Sequence, residues 1–221
     1  IDDLRRFRPS HVDQVSAVPL PAQSWRRTLP LFEDTQHRPH RLVFFCYSQR
    51  MEIVQDGNPV LRDTAKEVSA DEFGSKELKA ILAQMETALD GERDGVALAA
   101  PQIGISKRIF IVRFDRLLPL SPEETAPPKD VGVFINPELI RVSRRKDEMD
   151  EGCLSVRGTY GKTVRHEQAT VRAQNVDGTF FERGGGGVLA QAYQHEIDHL
   201  NGTLFIDHAV HLREALREDY E

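Results

Sequence analysis

The nine residues QHEIDHLNG, from Gln194 to Gly202, constrain the fold more than any other stretch of the chain. His195 and His199 are four positions apart, about one helical turn, so both imidazoles leave the same face of a helix. Glu196 follows the first histidine and can act as a base beside an ion held by the two rings. Because the rest of this segment is mostly apolar, the pattern favours a buried metal site over an exposed polar face.

Two histidines do not complete a metal site, so a third protein ligand must be found. One class of metalloprotease adds a histidine six residues after the second one, but Phe205 occupies that position here. Another class uses a glutamate from a later helix, and the few glutamates near the end of this chain are poor candidates for such a ligand. His208 and His211 favour a solvated face, although ligation by them stays open.

Cys153 is the remaining candidate for the third ligand. It lies in EGCLS, Glu151 to Ser155, where charged and small residues flank it. A structural cysteine normally sits inside an apolar run instead. A thiolate with two imidazoles leaves one tetrahedral position for water, which is typical of a catalytic zinc-type centre.

A third segment, GVALAAPQIG from Gly95 to Gly104, is built from small residues that let two backbones approach closely. Gln102 is its one polar side chain. Its amide can donate to an oxyanion that develops on a carbonyl. The alternative is a tight loop in which Gln102 caps a backbone carbonyl.

The first fifty residues differ in composition from the rest of the chain. They contain eight arginines, no lysine and five acids, and so carry a charge of +3 in a chain of −6. We interpret residues 1–50 as an N-terminal extension that need not be ordered, with Cys46 uninvolved in the chemistry. Residues 51–221 form the predicted catalytic domain. The acids argue against an organellar transit peptide.

The remaining pattern predicts an α+β fold, because strands cluster in the middle of the chain and helices flank them. An apolar run predicts a buried strand, and a Pro-interrupted run predicts a second strand. The expected strands and hairpin are Arg108–Phe114, Val133–Ile140 broken at Pro137, and a hairpin over Thr163–Arg183 that turns at Asp177-Gly178. The expected helices are Ser75–Asp90, Val188–Leu200 after a flexible joint at Gly184–Gly187, and a C-terminal helix over Asp207–Asp219.

Composition excludes several classes of protein. No apolar run approaches the roughly 18 residues that span a membrane, and the net charge of −6 argues against direct binding of nucleic acid. The chain has only two cysteines, which suits a reducing compartment and excludes a disulfide framework.

Taken together, the three short motifs resemble those of the peptide deformylase family, in the same order along the chain. The second and third motifs are intact at Glu151–Ser155 and Gln194–Gly202. The first is present at Gly95–Gln102, with Ala97 where the family usually has a second glycine. The resemblance extends from about Met51 to the predicted terminal helix.

The resemblance implies an enzyme that removes the formyl group from the N-terminal formyl-methionine of newly made polypeptides and releases formate. It implies antiparallel β-sheets wrapped around a central metal-binding helix, with a C-terminal helix. It also implies a role for each motif residue: Cys153, His195 and His199 as metal ligands, Glu196 as general acid and base, Gln102 and the backbone N–H of Leu154 as oxyanion donors, and Gly95, Val96 and Ala97 as the segment that binds the peptide.

The resemblance further implies one divalent metal per chain, with Fe(II) favoured and Zn, Ni or Co as alternatives. The expected partners are N-formyl-Met nascent peptides in a bacterial-type cytoplasm. Bacterial members can dock on the ribosome through a basic C-terminal helix. The segment from His211 to Glu221 holds more acids than arginines, which argues against that route. An ordinary metallopeptidase and a non-catalytic binding relative are the alternative functions.

Overall fold

The structure is a computed structural model that describes residues 52–117 and 127–215. The proposed extension over residues 1–50, with Cys46, lies outside the described residues. Most of the core belongs to an antiparallel five-stranded sheet with the order β1-β2-β3-β6-β7. Its strands are β1 (Ala97–Ala99), β2 (Ile109–Arg113), β3 (Val131–Val142), β6 (Gln168–Gln174) and β7 (Phe180–Gly186).

Strand β2, an inner strand of this sheet, has apolar residues from Ile109 to Val112 because both of its faces are buried. Ile109 and Ile111 belong to a core cluster with helix α1 (Lys76–Asp90), whereas Phe110 and Val112 belong to a second cluster with helix α2 (Val188–Leu200). Successive side chains of a strand point to opposite faces, so a strand covered on both faces must be apolar throughout. The predicted buried strand and both of these predicted helices are confirmed.

Helix α2 contacts the five-stranded sheet on one side and a second sheet on the other. Tyr193 packs against Phe110 and Phe134, with ring centroids 6.2 and 5.3 Å apart. Gln194 exchanges two hydrogen bonds of 3.0 Å with the backbone of His166, in the second sheet. Just after the helix, Gly202 has φ +76°, and a Cβ there would lie 2.4 Å from a backbone carbonyl oxygen. Only glycine fits this last motif position.

The second sheet is three-stranded and antiparallel, with the order β4-β5-β8. Its strands are β4 (Lys146–Cys153), β5 (Val156–His166) and β8 (Val210–Glu214). The predicted C-terminal helix is therefore wrong over Val210–Glu214, which pairs with β5. Apolar residues at alternate positions, Val210 and Leu212, suit a strand, and hydrogen bonds to the β5 backbone decide between the two patterns. Residues 216–221 lie outside the described part of the chain.

The expected interruption at Pro137 is a shift of register within one continuous strand. The pairing of β3 with β6 slips between Ile135 and Glu138, and Asn136 has φ +49°. The Asn136 amide accepts from Val68 N–H at 2.8 Å and donates to Val68 C=O at 2.9 Å, which secures this bulge.

The hairpin that turns at Asp177-Gly178 is confirmed as β6 and β7. Its predicted N-terminal part is wrong, because Thr163–His166 belongs to β5 of the other sheet. Gly184–Gly186 is paired strand, and only Gly187 begins the turn into α2. Among the described residues, no helix is long and apolar enough to cross a membrane.

Candidate active site

Cys153, His195 and His199 come together at one point between the two sheets. Their potential ligand atoms all lie within 4.8 Å of one another, and Cys153 Sγ is 3.1 Å from His199 Nε2. Cys153 ends β4, and both histidines lie on α2. Within the described residues no other group of three such side chains converges in this way. His208 and His211 are exposed and lie outside it.

Glu151 fixes the orientation of the first histidine. Its Oε1 lies 2.6 Å from His195 Nδ1, so that Nε2 is the nitrogen left for a metal. Arg165 donates to both oxygens of this carboxylate, at 3.0 and 2.6 Å, and the Thr163 hydroxyl also donates to it. Burial raises the pKa of Glu151, but the hydrogen bonds from His195 and Arg165 prevail and hold it well below its usual range. The carboxylate is therefore charged beside the ring.

Asp198, within the same helix, forms its ion pairs away from His195 and His199. Its carboxylate pairs with Arg165 at 2.6 Å, and the nearer histidine, His208, is 3.9 Å away. Arg165 is 7% exposed and links this acid to Glu151. Sequence reasoning gave no role to Arg165 and named Glu151 only as the first residue of its motif. The only sequence feature that could have pointed to Glu151 was its position as the first residue of the EGCLS motif.

Glu196 and His199 each have a buried polar atom without a hydrogen-bond partner among the described residues, Oε2 of Glu196 and Nδ1 of His199. Glu196 is 3% exposed. Burial raises its pKa to about 7. An unpartnered carboxylate inside a protein is costly unless a cation or a polar ligand joins it. Together with a converging sulfur and two imidazole nitrogens, this orphaned oxygen fits a divalent transition metal at the site.

The Gln102 amide is anchored at one end and directed towards the cysteine at the other. Its Oε1 accepts from Ala99 N–H at 2.8 Å. Its Nε2 lies 3.3 Å from Ser155 Oγ and 3.6 Å from Cys153 Sγ. The structure therefore shows Gln102 accepting from a backbone N–H, rather than capping a carbonyl, with its NH2 group towards the ligand set.

The Gly95–Ala97 segment closely approaches the turn that carries Leu154. A Cβ on Gly95 would lie 3.2 Å from Leu154 Cδ1 and 2.7 Å from Leu89 Cδ1, so a larger residue there would crowd both leucine side chains. Arg116 donates to three backbone carbonyls between the end of α1 and the start of this segment, those of Leu89, Glu92 and Gly95, at 3.2, 2.7 and 2.7 Å. Sequence reasoning missed Arg116, because its partners are carbonyls that leave no sequence pattern.

A cleft of about 360 Å³ opens onto these groups. It is lined by every predicted site residue except His199, which is buried: Gly95, Val96, Ala97, Gln102, Cys153, Leu154, His195 and Glu196. The cleft thus brings the predicted base, amide donor and peptide-binding segment to the same place. A bound molecule there would touch a thiol, an imidazole, an amide and a carboxylic acid.

Comparisons with known proteins agree on one family. Residues 50–215 match the family model described as polypeptide deformylase. The chain is 43% identical to a peptide deformylase of Halothermothrix orenii, over 75% of this chain and 97% of the relative. It is 46% identical to one of Acidobacterium capsulatum, over 70% and 83% of the two chains. It also resembles the Met-Ala-Ser-bound crystal structure of a class I type b peptide deformylase from Acinetobacter baumannii, with a TM-score of 0.63 and 34% identity over 72% of this chain and 97% of the other.

Proposed function

The chain belongs to the peptide deformylase family, and from that premise we propose how its own residues perform the family's reaction. The activity is hydrolysis of the formyl amide at the N-terminus of N-formyl-methionyl peptides, which yields formate and a free amine. The observation that carries the residue assignments is the convergence of Cys153, His195 and His199 beside a buried, unpartnered Glu196.

We propose that Cys153, His195 and His199 hold one divalent metal ion, in keeping with a metal-dependent family. When bound, such an ion acts as a Lewis acid and makes water a stronger acid at neutral pH. Glu151 keeps His195 in the tautomer that presents Nε2 to the ion. The residues packed around α2 exclude bulk water from His199, which is only 1% exposed, whereas Cys153 and His195 face the cleft.

Glu196 moves the proton in this proposal. It removes a proton from the water that attacks the formyl carbon, and the oxygen–carbon bond forms as the carbonyl oxygen gains negative charge. It then gives the proton to the departing nitrogen, so the carbon–nitrogen bond breaks and a neutral amine leaves with formic acid, which loses its own proton to the solvent and becomes formate. A pKa of about 7 suits both steps, because the group can accept and release a proton near neutral pH.

Gln102 and Leu154 stabilise the negative charge on the formyl oxygen. The anchored Gln102 amide presents Nε2 on the Cys153 side of the cleft, where that oxygen would lie. The backbone N–H of Leu154, next to the ligand cysteine, is the second proposed donor. Donors fixed before the reaction need no reorganisation when charge develops, which is why they lower the barrier.

The peptide backbone is proposed to add to the edge of the five-stranded sheet at Gly95–Ala97. β1 is an edge strand, paired with β2 on one side, and Ala97 lines the cleft. The Val96 carbonyl is already bonded to Arg113 N–H at 2.8 Å, which fixes the start of this edge. An extended peptide that pairs here would place its formyl end at the metal ligands.

The decisive assay offers formyl-Met-Ala-Ser and Met-Ala-Ser to anaerobically prepared protein. Formate release from the first peptide, with its chain left intact, is the expected result. Cleavage between the amino acids of either peptide would favour the metallopeptidase alternative. Binding of the peptide without either product would favour a non-catalytic relative.

We propose Fe(II) as the native metal by analogy with the family. The ligand set alone does not decide between metals, since it suits zinc as well. The proposed location is the cytoplasm, where newly made polypeptides carry their formyl group. Val210–Glu214 forms a strand, so we do not propose a ribosome-docking helix at these residues. Metal analysis after anaerobic purification should find iron and an activity that peroxide abolishes. Zinc alone, with full activity in peroxide, would contradict the iron assignment.

A further inference from the structure

An arginine outside the cleft binds the segment that forms one of the cleft walls. Arg116 ends the short turn that follows β2, and it is not among the described residues that line the cleft. Its Nη1 donates to the carbonyls of Glu92 and Gly95, both at 2.7 Å, and lies 3.2 Å from that of Leu89. Glu92 and Gly95 themselves line the cleft, so Arg116 holds this wall from behind.

The contact is strong and the arginine is itself held in place. Gly95 is buried, and a buried carbonyl that loses its donor destabilises the backbone around it. Hydrogen bonds from a charged donor are also stronger than those from a neutral one. Arg116 Nη2 lies 3.8 Å from the carboxylate of Asp90, which also binds Arg113 and Lys129. The guanidinium is therefore fixed on both sides, by an acid and by backbone carbonyls.

The backbone that Arg116 holds leads directly into the edge strand β1. The sheet pairing of β1 begins at Ala97. Before it, the Val96 carbonyl accepts from Arg113 N–H at 2.8 Å, and the Gly95 carbonyl accepts from Arg116. The arginine side chain thus extends the attachment of this edge to β2 beyond the last backbone hydrogen bond.

We propose that Arg116 is a positioning residue for the peptide, which sets the backbone of Gly95–Ala97 before the substrate binds. This role rests on the proposed function, in which the peptide pairs along that segment. Without Arg116, the segment would have to be ordered when the peptide binds, so the loss would appear in KM rather than in kcat. Ordering one group at an interface weakens binding by about three- to tenfold. Only substrates long enough to pair along the edge would bear this cost.

The test compares formyl-Met-Ala-Ser with formyl-methionine amide, which lacks the residues that pair further along the edge. The metal-loaded wild type should show a higher kcat/KM for the longer substrate. In Arg116→Met, which keeps an apolar stem but has no donor, this advantage should fall by about three- to tenfold through KM, at unchanged kcat and metal content. Arg172→Met is the matched control and should keep the advantage, because Arg172 pairs with Glu182 and does not line the cleft.

Amide hydrogen exchange of the same proteins, measured without peptide, reports on the segment directly. Residues 92–97 should exchange faster in Arg116→Met than in the wild type, and at the wild-type rate in Arg172→Met. If Arg116→Met does not fold, Arg116→Gln takes its place in both measurements. Glutamine is polar, but its amide nitrogen is too close to the backbone to reach the three carbonyls.

Three results would each overturn the proposal: a wild type without a length advantage, an Arg116 variant that keeps the advantage, and unchanged exchange of residues 92–97 in that variant. Formate release by the wild type separates these failures from failure of the proposed function. If the wild type releases formate from formyl-Met-Ala-Ser and one of the three results is found, only the role of Arg116 is wrong. If it releases none, the deformylase assignment fails, and the positioning role fails with it.

Discussion

Glu151 Oε1 lies 2.6 Å from His195 Nδ1, and Arg165 donates to both oxygens of the same carboxylate. We predict that Glu151→Gln lowers metal affinity by about 10- to 100-fold, the usual cost of losing a group that orients a ligand histidine. The neutral amide would no longer fix the ring or balance the buried guanidinium. Competition against a chelator measures the affinity.

Glu148→Gln is the matched control for this variant. Glu148 lies on the same strand, but it is exposed and pairs with Lys162. Its metal affinity should equal that of the wild type. An unchanged affinity in Glu151→Gln as well would show that the carboxylate does not support the site.

The buried Glu196 also predicts how activity depends on pH. Burial raises its pKa to about 7, and only the carboxylate form can accept a proton. Below that pKa the base is protonated, so kcat/KM should rise with pH and reach a plateau above it. A bound cation favours the carboxylate, which places the midpoint at or below about 7. A kcat/KM that falls between about pH 5 and 7, at constant metal content, would contradict this role.

Gly95 should not tolerate a side chain. A Cβ there would lie 2.7 Å from Leu89 Cδ1 and 3.2 Å from Leu154 Cδ1, so Gly95→Ala must shift the buried Leu89 side chain and crowd the Leu154 side chain, whose backbone N–H is the proposed oxyanion donor. We expect kcat to fall by about tenfold or more, since even small misplacement of a catalytic group is expensive. Gly184→Ala is the control, because its Cβ would meet nothing closer than 3.6 Å. Equal losses of kcat in the two variants would show that the absence of a side chain at Gly95 is not needed for catalysis.

Ala97 is the one departure from the first motif, and its methyl group lies where the peptide is proposed to pair. The residue is 8% exposed and lines the cleft. We predict that Ala97→Gly keeps its turnover number but changes KM for formyl-Met-Ala-Ser by about two- to fivefold, in line with a contact of one methyl group. Equal KM values would show that the methyl group plays no part in peptide binding.

Local patterns were sufficient for the elements whose burial is uniform. β2 is apolar from Ile109 to Val112 because α1 and α2 cover its two faces, and this run was visible in the sequence. The histidine spacing of α2 was also visible in the sequence, because residues four positions apart lie on the same face of a helix. Five-residue β8 was mistaken for a helix, because so short a stretch fits both periods and only its pairing with β5 decides.

The supporting groups of the site were beyond sequence reasoning for a different reason. Glu151 meets Arg165 from 14 positions away and His195 from 44, and both contacts depend on strand register and on the docking of α2. Arg116 binds three backbone carbonyls, which carry no residue-specific pattern. Motif residues predict the chemistry from the sequence, whereas the groups that orient them can be identified only from the structure.

The most direct measurement of the central claim is the turnover of formyl-Met-Ala-Ser by Glu196→Gln at a metal content equal to that of the wild type. Glutamine keeps the shape of the side chain but cannot carry the proton. Formate release should fall by about 10²- to 10⁴-fold, the usual contribution of a general base, while the metal stays bound. Turnover close to that of the wild type would contradict the assignment of Glu196 as the base at the Cys153, His195 and His199 site.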